Sequence, residues 1–290
     1  MEKLKGFKMF EVSNSLYNDL YKYFPEDADN FVFHKVCGLT IPFSLTWRQI
    51  GINISGGADS ASLCLLLCKI IKENNYKCKI HVITFVRCWT TRPWQEPKGH
   101  EVYQKLKSMF PKIIGNRYEN YIPPELEYGV IGPIIKGRSG DQIEGSSFNS
   151  YVAYKHKLSA IFNGTSMNPS DEVFDNRMKE RDKTSEQGTL RDIMYHDKGT
   201  WFIHPYRFVQ KDWIVAQYFI HGAEDLFNTT RGCEGDINDG NHINPVVPTL
   251  ESYKPGMDVP VCGACFWCLE RDWAVSKLPD TMNKLRQYYE

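Results

Sequence analysis

The chain has 290 residues, enough for one large α/β domain with a small appendage, and its 35 basic and 35 acidic residues balance to a net charge of zero. Neutrality argues against a protein whose main task is to neutralise phosphates along tRNA or DNA, and leaves only local basic patches for such contacts. No leader-like charged-apolar-small pattern opens the sequence and no apolar stretch approaches the roughly 20 residues of a membrane span, so a cytoplasmic protein without membrane partners is expected.

Residues 1–47 combine an amphipathic stretch, Ser13 to Phe24, with a β-rich one, Phe31 to Leu45, and read as an N-terminal extension. Arg48 to Ser55 reads as the first buried strand. Ser55-Gly56-Gly57-Ala58-Asp59-Ser60 follows as a glycine-rich turn, then a helix over Ala58 to Glu73 whose Leu63, Leu66, Leu67, Ile70 and Ile71 recur at helical spacing. Lys79 to Val86 reads as a second strand, buried on both faces, so the unit is a right-handed parallel crossover. A helix over Gly99 to Met109 and a strand near Ile113-Ile114 continue the alternation.

Gly129 to Gly145 carries six glycines or prolines and reads as a loop, either an active-site lid or an ordinary surface excursion. A helix is expected from Ser147 to Leu158, then a short central strand, Ser159 to Asn163, ending in the polar turn Gly164-Thr165-Ser166. Ligands of open α/β sheets lie beyond the carboxyl ends of the strands, so the turns after Ile54 and after Phe162 are expected to converge on one ligand. Trp201 to Ile203 is extended, and Gln210 to His221 is an amphipathic helix stopped by Gly222. The chain divides into the extension, a nucleotide-binding α/β domain at 48–222 and a small helical metal-binding region at 223–290.

The turn at 55–60 is built for an anion. Glycines 56 and 57 lack the Cβ atoms that would hold a phosphate away, the N–H groups at the helix start carry partial positive charge, and Ser55 and Ser60 add hydroxyl donors. No Gly-Lys-Ser/Thr follows, which excludes a Walker loop. An ordinary glycine turn between strand and helix is the plain alternative.

Nine cysteines, an odd number unevenly spread in a protein expected to be cytoplasmic, do not read as a disulfide framework. Cys64, Cys68 and Cys78 fit as small core residues. Cys262, Cys265 and Cys268 stand at two-residue spacing, and Cys233 is the nearest fourth ligand for a tetrahedral structural zinc. An iron–sulfur cluster and a redox Cys-x-x-Cys remain the alternatives.

The hexapeptide resembles the PP-loop, Ser-Gly-Gly-x-Asp-Ser, of ATP pyrophosphatases, matching at every fixed position. With Cys233 and the Cys262-Gly-Ala-Cys265-Phe-Trp-Cys268-Leu-Glu-Arg271 ending, and with Lys211-Asp-Trp-Ile-Val and Phe227-Asn-Thr-Thr-Arg-Gly-Cys233 ahead of it, the chain resembles the 7-cyano-7-deazaguanine synthase (QueC) family over about residues 48–275. That resemblance implies an adenine nucleotide alpha hydrolase type of fold: a parallel sheet flanked by helices. It places ATP at Ser55, Gly56, Gly57, Ala58, Asp59, Ser60, Phe85 and Gly164, with Mg²⁺ near Asp59 and Lys211 at a phosphate. Lys211 as a solvent-facing residue at a helix start is the alternative. Asp175 and Arg177 echo the family's substrate turn and are expected to hold a base edge and a carboxylate, or else to form a surface ion pair. Asn176 stands where the family has cysteine.

The implied reaction is adenylation of the carboxylate of 7-carboxy-7-deazaguanine, with pyrophosphate released and a C–N bond formed to an amine. Ammonia leads to the nitrile. The extension, the 129–145 excursion and the long 234–261 segment depart from the family and make a second outcome serious beside the nitrile, that of a QueC-like antiphage enzyme that joins the deazaguanine to a protein amine. A homodimer is implied by analogy. The alternatives are a tRNA-modifying PP-loop enzyme and a catalytically silent nucleotide-binding module.

Overall fold

The computed structural model describes residues 20–86, 94–122, 140–169, 193–233, 237–238, 241–242, 254, 257 and 260–288. A short helix α1 (Pro25–Ala28) leads into the hairpin β1 (Phe31–Val36) and β2 (Leu39–Ser44). Then come β3 (Gln49–Asn53), α2 (Ala58–Glu73), β4 (Lys79–Val86), α3 (Gln95–Met109), β5 (Ile114–Tyr121), α4 (Gly140–His156) and β6 (Ala160–Phe162). The chain continues through β7 (Met194–Asp197), β8 (Thr200–Ile203), α5 (Lys211–Ile220), α6 (Glu224–Thr229), the two-residue strands β9 (Ile237–Asn238) and β10 (Asn241–His242), α7 (Phe266–Ser276) and α8 (Leu278–Arg286).

The expected parallel sheet flanked by helices is present. Its order is β5-β4-β3-β6-β8-β7, with only β7 antiparallel to its neighbour. Strands β3, β4 and β5 step outward in one direction, and β6 and β8 in the other. The order reverses between β3 and β6, which opens a crevice at their carboxyl ends. The reversal follows from burial: Ile50 and Ile52 on β3 and Ala160 and Phe162 on β6 are fully buried, so both strands must be central.

Helix α2 covers one face with Ala61, Leu63, Leu66, Leu67 and Ile70, all inaccessible to solvent. Helix α4 covers the other, where Val152, Ala153 and Leu158 pack with Ile83 and Ile161. The β1–β2 hairpin joins the main core through aromatic contacts: Phe31 meets Trp201 at 5.1 Å, Phe43 stacks on Tyr76 at 4.9 Å and Trp47 meets Phe162 at 6.1 Å between ring centroids. Leu226, Ala274 and Leu285 belong to that same core.

The helix α2 and the strand β4 have the limits the sequence pattern predicts. Three readings need correction. Residues 140–145, expected within a loop, are the first turn and a half of α4. Gly145 is a packing glycine there, since a Cβ on it would stand 3.6 Å from the Phe85 ring. Helix α3 starts at Gln95 rather than Gly99, because Pro97 falls in its first turn, where the missing N–H costs no hydrogen bond. Strand β5 runs on to Tyr121; its polar residues Asn116, Arg117, Glu119 and Asn120 concealed an edge strand with little apolar alternation.

Candidate functional site

The turn after β3 and the turn after β6 meet at the reversal point. Gly164 presses against the start of α2 so closely that a Cβ there would lie 2.7 Å from the Ser60 Cα and 2.8 Å from its nitrogen. Ser166 Oγ donates to Asp59 Oδ2 at 2.8 Å. The backbone at Gly56 is left-handed (φ +91°), and a Cβ on it would stand 3.1 Å from Gly99 N of α3. Glycine is thus required at 56 on two counts, conformation and space.

Helix α2 begins without a side-chain cap on its N-terminal N–H groups, with Gly57 as the residue before its first turn. Ser55 is exposed beside it, while Ser60 is buried. Below the turn, the Tyr218 hydroxyl donates to the Ala58 carbonyl, and Tyr206 and Ser62 share a hydrogen bond of 3.0 Å. These buried phenols fix the base of the turn.

Lys211, the first residue of α5, is buried rather than solvent-facing. Its Nζ lies 2.5 Å from Asp59 Oδ1 and 3.3 Å from Glu270 Oε2. Burial alone would pull its pKa down, but the two carboxylates outweigh that and hold the ammonium above its ordinary value. Glu270, on α7, is 4 % exposed. Sequence reasoning missed it, for an acid two residues after the last cysteine reads as one more surface charge.

Cys233, Cys262, Cys265 and Cys268 come together, with all four Sγ atoms within 4.8 Å of one another. Cys262 Sγ and Cys268 Sγ stand 3.8 Å apart, close to the ~3.8 Å edge of a tetrahedron of sulfurs at ~2.3 Å from a zinc ion. Four sulfurs on four corners of a cubane would stand farther apart. The amides of Cys262 and Cys265 donate to Cys233 Sγ at 3.3 Å and Cys262 Sγ at 3.2 Å, the N–H···S pattern that steadies metal thiolates. Contacts with the Cys233 and Cys265 sulfurs and burial push the Cys268 thiol up, so a cation among the sulfurs is what would permit thiolates at this spacing. The donor set therefore fits a single tetrahedral ion.

The cluster is strapped to the glycine turn. Arg231 N donates to Gly56 O at 2.8 Å, and the Arg231 guanidinium lies 4.9 Å over the Trp94 ring at the start of α3. Arg271 donates to Thr230 Oγ1 at 2.9 Å and Phe227 O at 3.0 Å, clamping the segment that carries Cys233. Phe85 lies at the carboxyl end of β4 beneath α4, 5.9 Å from Phe148 between ring centroids. Asp175 and Arg177 lie outside the described residues.

No family model and no curated protein matches the sequence. Solved structures similar in shape include the U34-tRNA thiolase NcsA from Methanococcus maripaludis with its [4Fe-4S] cluster (TM-score 0.41, 10 % identity), matched over 95 % of this chain and 76 % of that one. A 4-thiouridine synthetase in an RNA complex with bound ATP is another (TM-score 0.36, 12 % identity), matched over 83 % of this chain and 53 % of that one. At such scores neither neighbour says what this chain binds or does.

Proposed function

We propose that the chain is an ATP-dependent enzyme of the PP-loop type that activates a carboxylate by adenylation and passes it to an amine. The observation that carries this reading is a complete Ser-Gly-Gly-x-Asp-Ser turn at the strand-order reversal of the sheet, backed by a buried lysine on its aspartate. Uncapped helix amides with Ser55 and Ser60 would hold the ATP phosphates. Asp59 would face the Mg²⁺ that accompanies ATP, Lys211 would stabilise charge on the phosphates, and Phe85 and Gly164 would border the nucleotide. Positioning and charge stabilisation suffice for such a transfer.

The QueC-like ending makes 7-carboxy-7-deazaguanine the carboxylate we favour, with Asp175 and Arg177 as its binding residues. Its carboxylate oxygen attacks the α-phosphorus, the α–β bond breaks and pyrophosphate leaves. An amine then attacks the acyl carbon, loses a proton and expels AMP. With ammonia the product is an amide; a second ATP adenylates the amide oxygen with release of pyrophosphate, and departure of that oxygen in AMP with loss of both N–H protons gives the nitrile, whereas a protein amine would stop the reaction at a conjugate. In this reading residues 48–222 bind nucleotide, residues 223–290 hold a structural zinc ion on the four cysteines, and the protein works in the cytoplasm as a homodimer.

The test is mass spectrometry after incubation with ATP, Mg²⁺ and 7-carboxy-7-deazaguanine, with ammonia or candidate acceptor proteins in separate arms and tRNA plus a sulfur donor in another. AMP together with a nitrile or a deazaguanine amide is expected, and Asp59→Ala should lower AMP release at least a hundredfold. Sulfur entering tRNA instead would replace the carboxylate reading with the tRNA-modifying one. ATP left intact in every arm would mean a silent nucleotide-binding module.

A further inference from the structure

Among the described residues, two buried carboxamide oxygens in one layer of the fold have no hydrogen-bond partner: Asn53 Oδ1 and Asn149 Oδ1. Asn53 is the last residue of β3, directly before the glycine turn, and Asn149 is 9 % exposed in the middle of α4. Strand alternation puts Asn53 on the same face as Gly51, where a Cβ would touch Ile83 and Leu158 at 3.0 Å. That is the face α4 covers. On α4, Asn149 lies one turn after Gly145, which seats against the Phe85 ring, and one turn before Ala153, which packs with Ile83 and Ile161. Both amides therefore lie between the sheet and α4 beside the strand-order reversal, with Asn53 level with Ile83 and the Phe85 ring two residues further along β4.

A buried amide oxygen without a donor is costly to the fold unless something supplies the missing bond, and a ligand is one such source. A carboxamide presents an acceptor and a donor side by side, the complement of a purine edge with an amino group next to a ring nitrogen. An aromatic ring beside it supplies a face for the same heterocycle. Resting on the ATP-dependent reading above, we propose that Asn53 and Asn149, with Phe85, form a recognition site for the amino-bearing edge of a purine-type ring. Two molecules of that reaction carry this edge, the adenine of ATP and the deazapurine substrate.

Asn149→Leu keeps the volume and removes the amide, so it separates ligand recognition from packing. Isothermal titration of the full-length protein with Mg·ATP and with 7-carboxy-7-deazaguanine should show about tenfold or greater weakening for one of them. Thermal stability should hold or rise, because an unpaired buried amide has been replaced by an apolar side chain. Weaker Mg·ATP binding assigns the edge to adenine, and weaker deazapurine binding assigns it to the substrate. A lower melting temperature with both affinities unchanged would mean a core amide satisfied by water and would overturn the proposal. Should that variant not fold, Asn53→Ala and the wild-type protein with purine riboside triphosphate or the 2-desamino deazapurine give the same reading from the other side. Full affinity in all of these overturns the site, whereas a wild-type protein that binds neither parent ligand removes the ATP-dependent reading and the site with it.

Discussion

At Lys211 one ammonium stands between two carboxylates in a largely dry pocket, and its removal is more severe than the loss of a surface ion pair. Without it, Asp59 and Glu270 would both lose the ammonium they share, and a buried pair broken in this way costs roughly 3–5 kcal/mol. Lys211→Met is expected to destabilise the protein by about 3 kcal/mol in urea unfolding, and adding Glu270→Gln should restore at least a third of that. A double variant as unstable as the sum of its parts would show that the three charges do not act as a unit. The same arrangement has a functional sense in the proposed reaction, because Glu270 gives Lys211 a second anchor when Asp59 turns toward a metal ion.

At the level of elements, the cysteine cluster and the glycine turn are parts of one assembly. The segment 227–233 is tied at one end to Gly56 by the Arg231 amide and at the other to α7 by Arg271, while α7 also brings Glu270 to Lys211. A metal ion would fasten the far end of that strap, because three of its ligands precede or open α7 and the fourth ends the strap. Stripping the metal with a chelator should therefore lower the melting temperature by roughly 10 °C or more and weaken Mg·ATP binding in proportion to the metal lost. Re-addition of zinc should restore both. ATP affinity that stays constant while metal content falls would show that the strap does not transmit to the turn.

For the whole molecule, acid is the weak side. Burial lowers His34, His204 and His221 to about 4, with Arg207 adding to the effect at His204 and Lys69 at His221. These folded-state values lie below the unfolded value near 6.5, so the unfolded chain binds more protons in between. Their stabilising effect is complete above pH ~6.5 and is lost progressively as pH falls toward 4, at about 2 kcal/mol for each histidine by pH 5. Three such groups on separate elements make a large fraction of a typical net stability. Urea midpoints should fall steeply from pH 7 to pH 5, and His34→Gln should flatten the slope; a midpoint independent of pH in that range would contradict the buried neutral histidines.

The sequence by itself determined what repeats or is chemically marked. Apolar periodicity is local, so helix α2 and strand β4 were legible to their ends. The glycine turn and the four cysteines were legible because few other purposes need those residues at those spacings. Polar edge strand β5, the glycine inside α4 and the hairpin strand β7 were not, for their residues answer to neighbours distant in the chain rather than to a local pattern. Only the tertiary structure decided that Lys211 is buried on Asp59, that Glu270 shares it and that Gly164 closes on Ser60. It alone set Asn53 and Asn149 in a single layer. Each of these depends on crossing elements that pack within a few ångströms, and a distance between residues a hundred positions apart leaves no mark in composition or spacing.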